Sequence, residues 1–134
     1  MAAVAKVILV DIYRCLDDKD RGYFRASREK RFGMSLEAVV ADPSARLQEL
    51  RIALQPLRQM LKMQDFIGGE AATYADYCVF GMFMWARACS PVDVLQPDDP
   101  IVVWRERLLD AFGGLARSAV CVELPRPATD IVGR

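Results

Sequence analysis

The stretch from Tyr77 to Ala86 most limits what this chain can fold into. Tyr77, Cys78, Val79, Phe80, Met82, Phe83, Met84, Trp85 and Ala86 are apolar, and only Gly81 interrupts them. At 3.6 residues per turn such a run leaves no polar side, so a helix here needs neighbours all round. It is about half the length required to cross a bilayer, which points to the centre of a helical bundle. The four residues before it, Thr73-Tyr74-Ala75-Asp76, form a capping box with Asp in place of the usual Glu. Ala72 and Tyr77 stand where a hydrophobic staple is expected. Water cannot satisfy the free N–H groups of a buried helix start, so the Asp76 carboxylate is expected to do so and to face the positive helix end. Thr73 and Asp76 are therefore assigned to structure, with about 0.5–2 kcal/mol resting on the carboxylate.

Helical spacing dominates elsewhere, with Pro and Gly as punctuation. A first helix is expected from about Ala2 to Leu16, with Val4, Val7, Ile8, Ile12, Cys15 and Leu16 on one face. Leu9, Val10 and Tyr13 are surplus to that face. They imply either a wide core contact or a surface meant for another domain, subunit or ligand. A charged second helix runs to Arg31, and Gly33 stops it. Its stripe of Arg21, Arg25 and Arg28 could meet phosphate or carboxylate, but the interspersed Asp20 and Glu29 favour a solvated face. Ser35-Leu36-Glu37 can open a short helical turn. Asp42-Pro43 starts a longer helix to about Gln64, kinked near Ile52 and Ala53 by Pro56. The apolar helix ends by Ser90-Pro91. A last helix, roughly Pro100 to Ser118, would turn Val103, Trp104, Arg107, Leu108, Ala111 and Leu115 inward. The expected fold is an all-α bundle of about five helices over residues 1–119, with an irregular tail over 120–134.

Composition narrows the chemistry. With 134 residues and 53% hydrophobic content, one domain with a proper core is expected. Eighteen basic residues balance eighteen acidic ones, so nothing draws the chain to nucleic acid or to an anionic membrane. The sequence contains no histidine, which removes Ser-His-Asp and Cys-His catalysis and most zinc sites. Cys15, Cys78, Cys89 and Cys121 include no CxxC pair. On one helix Cys78 and Cys89 lie roughly 16 Å apart, too far for a disulfide. Free thiols fit a reducing, cytoplasmic setting. Lys6 and Asp11 break the apolar N-terminus before it could serve as a signal peptide.

A Phe66-Ile67-Gly68-Gly69 loop followed by Thr73-x-x-Asp76 at the head of a core helix resembles the sixth helix of glutathione S-transferases, in which this box is a folding element. Longer segments are similar to bacterial glutathione S-transferases related to the β-etherase group. Among them are Asp11-Ile12-Tyr13, Tyr23-Phe24-Arg25-Ala26-Ser27-Arg28-Glu29, Trp85-Ala86-Arg87, Asp98-Asp99-Pro100, Trp104-Arg105-Glu106-Arg107 and Phe112-Gly113-Gly114-Leu115-Ala116-Arg117. The likeness spans about residues 4–118 and is confined to the family's C-terminal helical half.

The resemblance implies a cytoplasmic, dimeric enzyme. Its thioredoxin-like domain binds glutathione, and its helical domain builds the pocket for an apolar electrophile. In the β-etherase group, glutathione attacks an aryl ether; the lowered thiol pKa is the heart of that chemistry. No βαβ pattern or cis-proline strand motif occurs here, so the thioredoxin-like domain is expected to be absent. Met1 falls where the family's first helix of this domain is already under way, which suggests a gene fragment or a start inside a longer frame. No cofactor, metal ligand or catalytic residue is expected in the chain itself, and glutathione remains the co-substrate of the intact family. The expected partners are an apolar small-molecule electrophile and either a second copy or a thioredoxin-like domain. By the resemblance, Tyr13 and Arg14 border the electrophile pocket, and Met82 and Trp85 on the apolar helix are further candidates. Cys15 is a weak candidate nucleophile because no basic neighbour is assured. The alternative is a non-catalytic helical module for binding or dimerisation.

Overall fold

The computed structural model describes residues 2–122. Seven helices follow one another: α1 (Ala2–Cys15), α2 (Asp18–Phe32), α3 (Leu36–Val39), α4 (Pro43–Ala53), α5 (Gln55–Leu61), α6 (Tyr74–Cys89) and α7 (Pro100–Gly114). No strand occurs among the described residues; the loop before α6 holds one isolated β-bridge, Phe66 to Gly69. The all-α class stands. The expected tail over 120–134 lies, past residue 122, outside the described residues.

α1 is the hub and packs against α2, α3, α4 and α6. Val4, Ile8 and Ile12, spaced by one helical turn, enter the main core with Leu50, Leu54, Phe80, Phe83, Ile101, Trp104 and Leu108. Leu9 points elsewhere. With Leu36 and Val39 it makes a second, smaller core, flanked by Val10, Tyr13, Phe24 and Phe32. The surplus apolar residues of α1 are thus a wide core contact, covered by α2 and α3.

The helix count exceeds the expected five for two physical reasons. Ser35 caps the short α3 by accepting from the Ala38 N–H at 3.2 Å. The expected helix from Pro43 to Gln64 is two helices that meet at Leu54, because Pro56 takes the second position of a new helix instead of kinking an old one. Arg58 braces the break. Its guanidinium donates to the Arg51 carbonyl at 2.6 Å and to Asp99 at 2.8 Å. The other Asp99 oxygen caps α7 at Ile101.

The last helix is shorter in effect than expected. Ala111 turns to ψ 151°, and Phe112, Gly113 and Gly114 all have positive φ. Gly-Gly ends the helical path here, so Leu115 is exposed. Val103 is exposed as well. Trp104 and Leu108 point inward as expected and are joined by Ile101 and Leu109, whereas Arg107 and Leu115 of the expected row are exposed with Val103 and Ala111 is only partly buried.

α6 lies between α1 and α7. Phe80, Phe83 and Ala86 are buried, and both phenylalanines meet the Trp104 ring edge-on at 6.2 and 5.8 Å. The neighbours expected all round it are not found among the described residues, because α1 and α7 cover one side only; the opposite side, with Tyr74, Tyr77 and Cys78, is exposed. The helix start carries the capping-box geometry, and the carboxylate does most of the work. Asp76 is fully buried. Its Oδ2 accepts from the Thr73 N–H at 2.8 Å, the Thr73 hydroxyl at 3.0 Å and the Gly68 N–H at 3.2 Å. Its Oδ1 accepts from the Ile67 N–H at 2.7 Å and from Trp104 Nε1 at 2.9 Å. The loop is shaped to supply these donors: Phe66 and Gly69 pair their backbones, and Gln64 donates to the carbonyls of Phe66 and Ile67. Gly68 must be glycine, since a Cβ there would stand 2.1 Å from Thr73 Cγ2. Burial pushes the Asp76 pKa up, but the hydrogen bonds from Trp104, Thr73 and Ile67 outweigh it and hold the carboxyl below its ordinary 3.8.

Candidate functional site

A groove opens between α1, α2 and α6. α1 contributes Ala5, Leu9 and Ile12, and α2 contributes Phe24, Arg28, Arg31 and Phe32. Both sets follow the i, i+4, i+7 spacing of one helix face. Trp85 of α6 completes the wall. The cavity measures about 170 Å³. An engineered apolar cavity of about 150 Å³ holds one benzene molecule, so this one matches a single aromatic ring. Pockets for drug-sized ligands run from about 300 Å³ upward. The walls are aliphatic and aromatic, and the only charged lining groups among the described residues are two guanidinium groups.

The four candidate pocket residues do not meet in one place. Trp85 lines the groove. Met82, on the same helix, packs half-buried against the main core. Tyr13 sits against the second core, its ring under the Arg25 guanidinium at 4.6 Å and that of Arg21 at 5.8 Å. Arg14 is exposed, pairs with Asp11 at 3.4 Å and borders a separate cleft near Val40 and Leu47. The groove residues missed by sequence reasoning are Ala5, Leu9, Ile12, Phe24, Arg28, Arg31 and Phe32. Two signals pointed their way: Leu9 was surplus on α1, and Phe24 was an aromatic on a charged helix.

The arginine stripe of α2 is not the solvated face expected of it. Arg21 donates to the carbonyls of Leu16 and Arg14 at the end of α1. Arg25 binds Glu37 at 2.8 Å and Glu29 at 2.9 Å. That pairing raises the Arg25 pKa and lowers the Glu37 carboxyl to about 2, chiefly through the hydrogen bonds between the two. Arg28 lies over the Phe24 ring at 5.0 Å. The stripe thus braces α2 to α1 and α3 and ends at the groove.

Cys15 donates its thiol to the Cys89 carbonyl at 3.5 Å, where the ends of α1 and α6 meet. Nearby, the buried Ser90 hydroxyl donates to Asp11 at 2.7 Å. Burial, with the Cys15 thiol, raises the Cys89 pKa, which keeps that sulfur protonated. No group of three or more His, Cys, Asp or Glu side chains able to hold a metal ion occurs among the described residues.

A protein-family model described as glutathione S-transferase, C-terminal domain, matches residues 1–99. The chain belongs to this family. The match takes in α1 to α6, so every residue lining the groove of this glutathione S-transferase C-terminal domain lies within it. It stops at Asp99, the residue that caps α7. Among the described residues no helix is long and apolar enough to cross a membrane.

Proposed function

We propose that this chain is the electrophile-binding helical domain of a glutathione S-transferase-like protein. In this reading the groove takes an aromatic ring of the electrophile, with Trp85 stacking on it. Glutathione is supplied by a thioredoxin-like domain, in a longer form or in a partner, and the chain alone turns nothing over. The segment likeness to the β-etherase group makes an aryl ether the preferred substrate class, in a cytoplasmic and dimeric protein. The observation that carries the reading is the single-ring cavity walled by Leu9, Ile12, Phe24, Phe32 and Trp85.

Fluorescence of Trp85 tests it. Trp104 is buried in the core beside Asp76 and serves as the silent reference. Benzyl alcohol, a neutral single-ring probe, is expected to quench the wild-type chain saturably and to leave Trp85→Phe unchanged. Quenching that persists in Trp85→Phe places the binding elsewhere and overturns the reading.

A second reading, a non-catalytic module for binding or dimerisation, draws on the exposed face of α6 and the end of α7. Tyr74, Phe112 and Leu115 are at least 70% exposed there, and Tyr77 pairs with Phe112 at 6.3 Å. Size-exclusion chromatography with light scattering, combined with a calorimetric titration of glutathione, separates the two. Self-association through this face without ligand binding in the groove favours the module.

A further inference from the structure

The apolar groove carries positive charge at one side only, and that asymmetry has a chemical meaning. Arg28 and Arg31 stand one turn apart on α2, and both line the cavity. No carboxylate of the described residues lines it. Several other arginines are paired with carboxylates: Arg21 with Asp18, Arg25 with Glu29 and Glu37, Arg58 with Asp99, Arg105 with Asp93, and Arg117 with Asp110. Arg51 and Arg87 make no ion pair among the described residues, but neither lines this cavity. Arg28 is held only by the Phe24 face and a 3.4 Å bond to the Ser27 hydroxyl, which leaves most of its donors unused among the described residues. Arg31 makes no ion pair among them. A guanidinium offers five donors in a planar fork that matches a carboxylate. Its position beside a space for one ring selects a ligand with an anionic group attached directly to that ring.

We propose that the groove prefers a ring that carries a carboxylate, as a carboxylated aryl ether does: the ring lies against Trp85, Leu9 and Phe24, and its carboxylate is held by Arg28 and Arg31. This rests on the ring-binding reading of the groove and adds the charge of the ligand to it. The Phe24 ring fixes the Arg28 guanidinium in place, so binding demands little further ordering of that side chain.

Two probes of matching size separate the ideas. Benzoate carries the charge and benzyl alcohol does not. Titrated into the full chain and followed by Trp85 fluorescence at low ionic strength, benzoate is expected to bind about tenfold tighter, the effect of one charge-assisted hydrogen bond. The preference should shrink as salt is raised. Arg28→Gln/Arg31→Gln, checked for folding by circular dichroism, should bind the two probes equally. Arg28→Lys/Arg31→Lys should retain part of the preference. Equal binding of the two probes by the wild type, or a preference unchanged in the Gln variant, overturns the anion site and leaves the ring groove standing. Failure of both probes at Trp85 removes the groove reading and the anion site with it.

Discussion

Replacing Asp76 by Asn keeps the shape of the side chain and removes only its charge and one acceptor. Asn can present its single oxygen where Oδ1 stands and keep the Ile67 and Trp104 donors. Its amide nitrogen then faces the N–H groups of Gly68 and Thr73, which lose their partner. Each buried donor left unmade costs about 1–3 kcal/mol. The Thr73 hydroxyl can rotate and accept from the new amide, which recovers part of this. The expected loss is about 3–5 kcal/mol, well above the 0.5–2 kcal/mol of an ordinary N-cap. A typical domain has about 5–15 kcal/mol in all, so the variant would be marginal. Urea unfolding followed by circular dichroism measures it, and the m-value should be unchanged. Thr73→Ala is the control. It deletes the side chain but leaves the other four donors on Asp76, and it should cost about 1 kcal/mol. A loss below about 1 kcal/mol for Asp76→Asn, or equal losses for the two variants, would refute the view that one carboxylate ties the loop, α6 and α7 together.

Three further expectations follow from the same contacts. The Asp76 carboxyl is held below its unfolded value of 3.8, so its stabilisation is complete above that pH and is lost as pH falls below it. Acid unfolding followed by fluorescence should therefore begin in that range, and Asp76→Asn should flatten the slope there. Leu9→Ala empties the small core against α3 and should cost about 2–3 kcal/mol in denaturant, because only Leu36 and Val39 are fully buried beside it. Gly68→Ala should cost about 1–3 kcal/mol and shift the Thr73 resonances, since the new methyl would fall on the Thr73 side chain.

Local signals read well from the sequence. The box at Thr73 and Asp76, the Asp-Pro starts at residues 42 and 99, and the Gly33 stop depend on neighbours in the chain. Each is a helix terminus in the structure. What the sequence hid depends on partners far away. Two of the five donors to Asp76 come from the loop before the box, and one comes from Trp104, twenty-eight residues on. No periodicity announces such bonds. Pro56 marks the break in the sequence, but its bracing by Arg58 against Asp99, 41 residues on, has no local signal. The expected end of α7 at Ser118 lies past Gly113-Gly114, where the apolar spacing continues but the positive φ of both glycines ends the helical path. The candidate site divides in the same way. Trp85 was legible as a large side chain on the apolar helix. The groove around it exists only because α2 folds back across α1, and that placement moves Tyr13 beneath Arg25 and leaves Arg14 on another side.

The proposed ring-binding space lies between α1, α2 and α6. Amide and indole NMR shifts of the ¹⁵N-labelled chain, titrated with anisole as a minimal aryl ether, test it most directly. Saturable shifts are expected at Leu9, Ile12, Phe24, Phe32 and the Trp85 indole, with the Trp104 indole unmoved in its bond to Asp76. Shifts centred on Tyr74, Tyr77 and Phe112, or none that saturate, would contradict it.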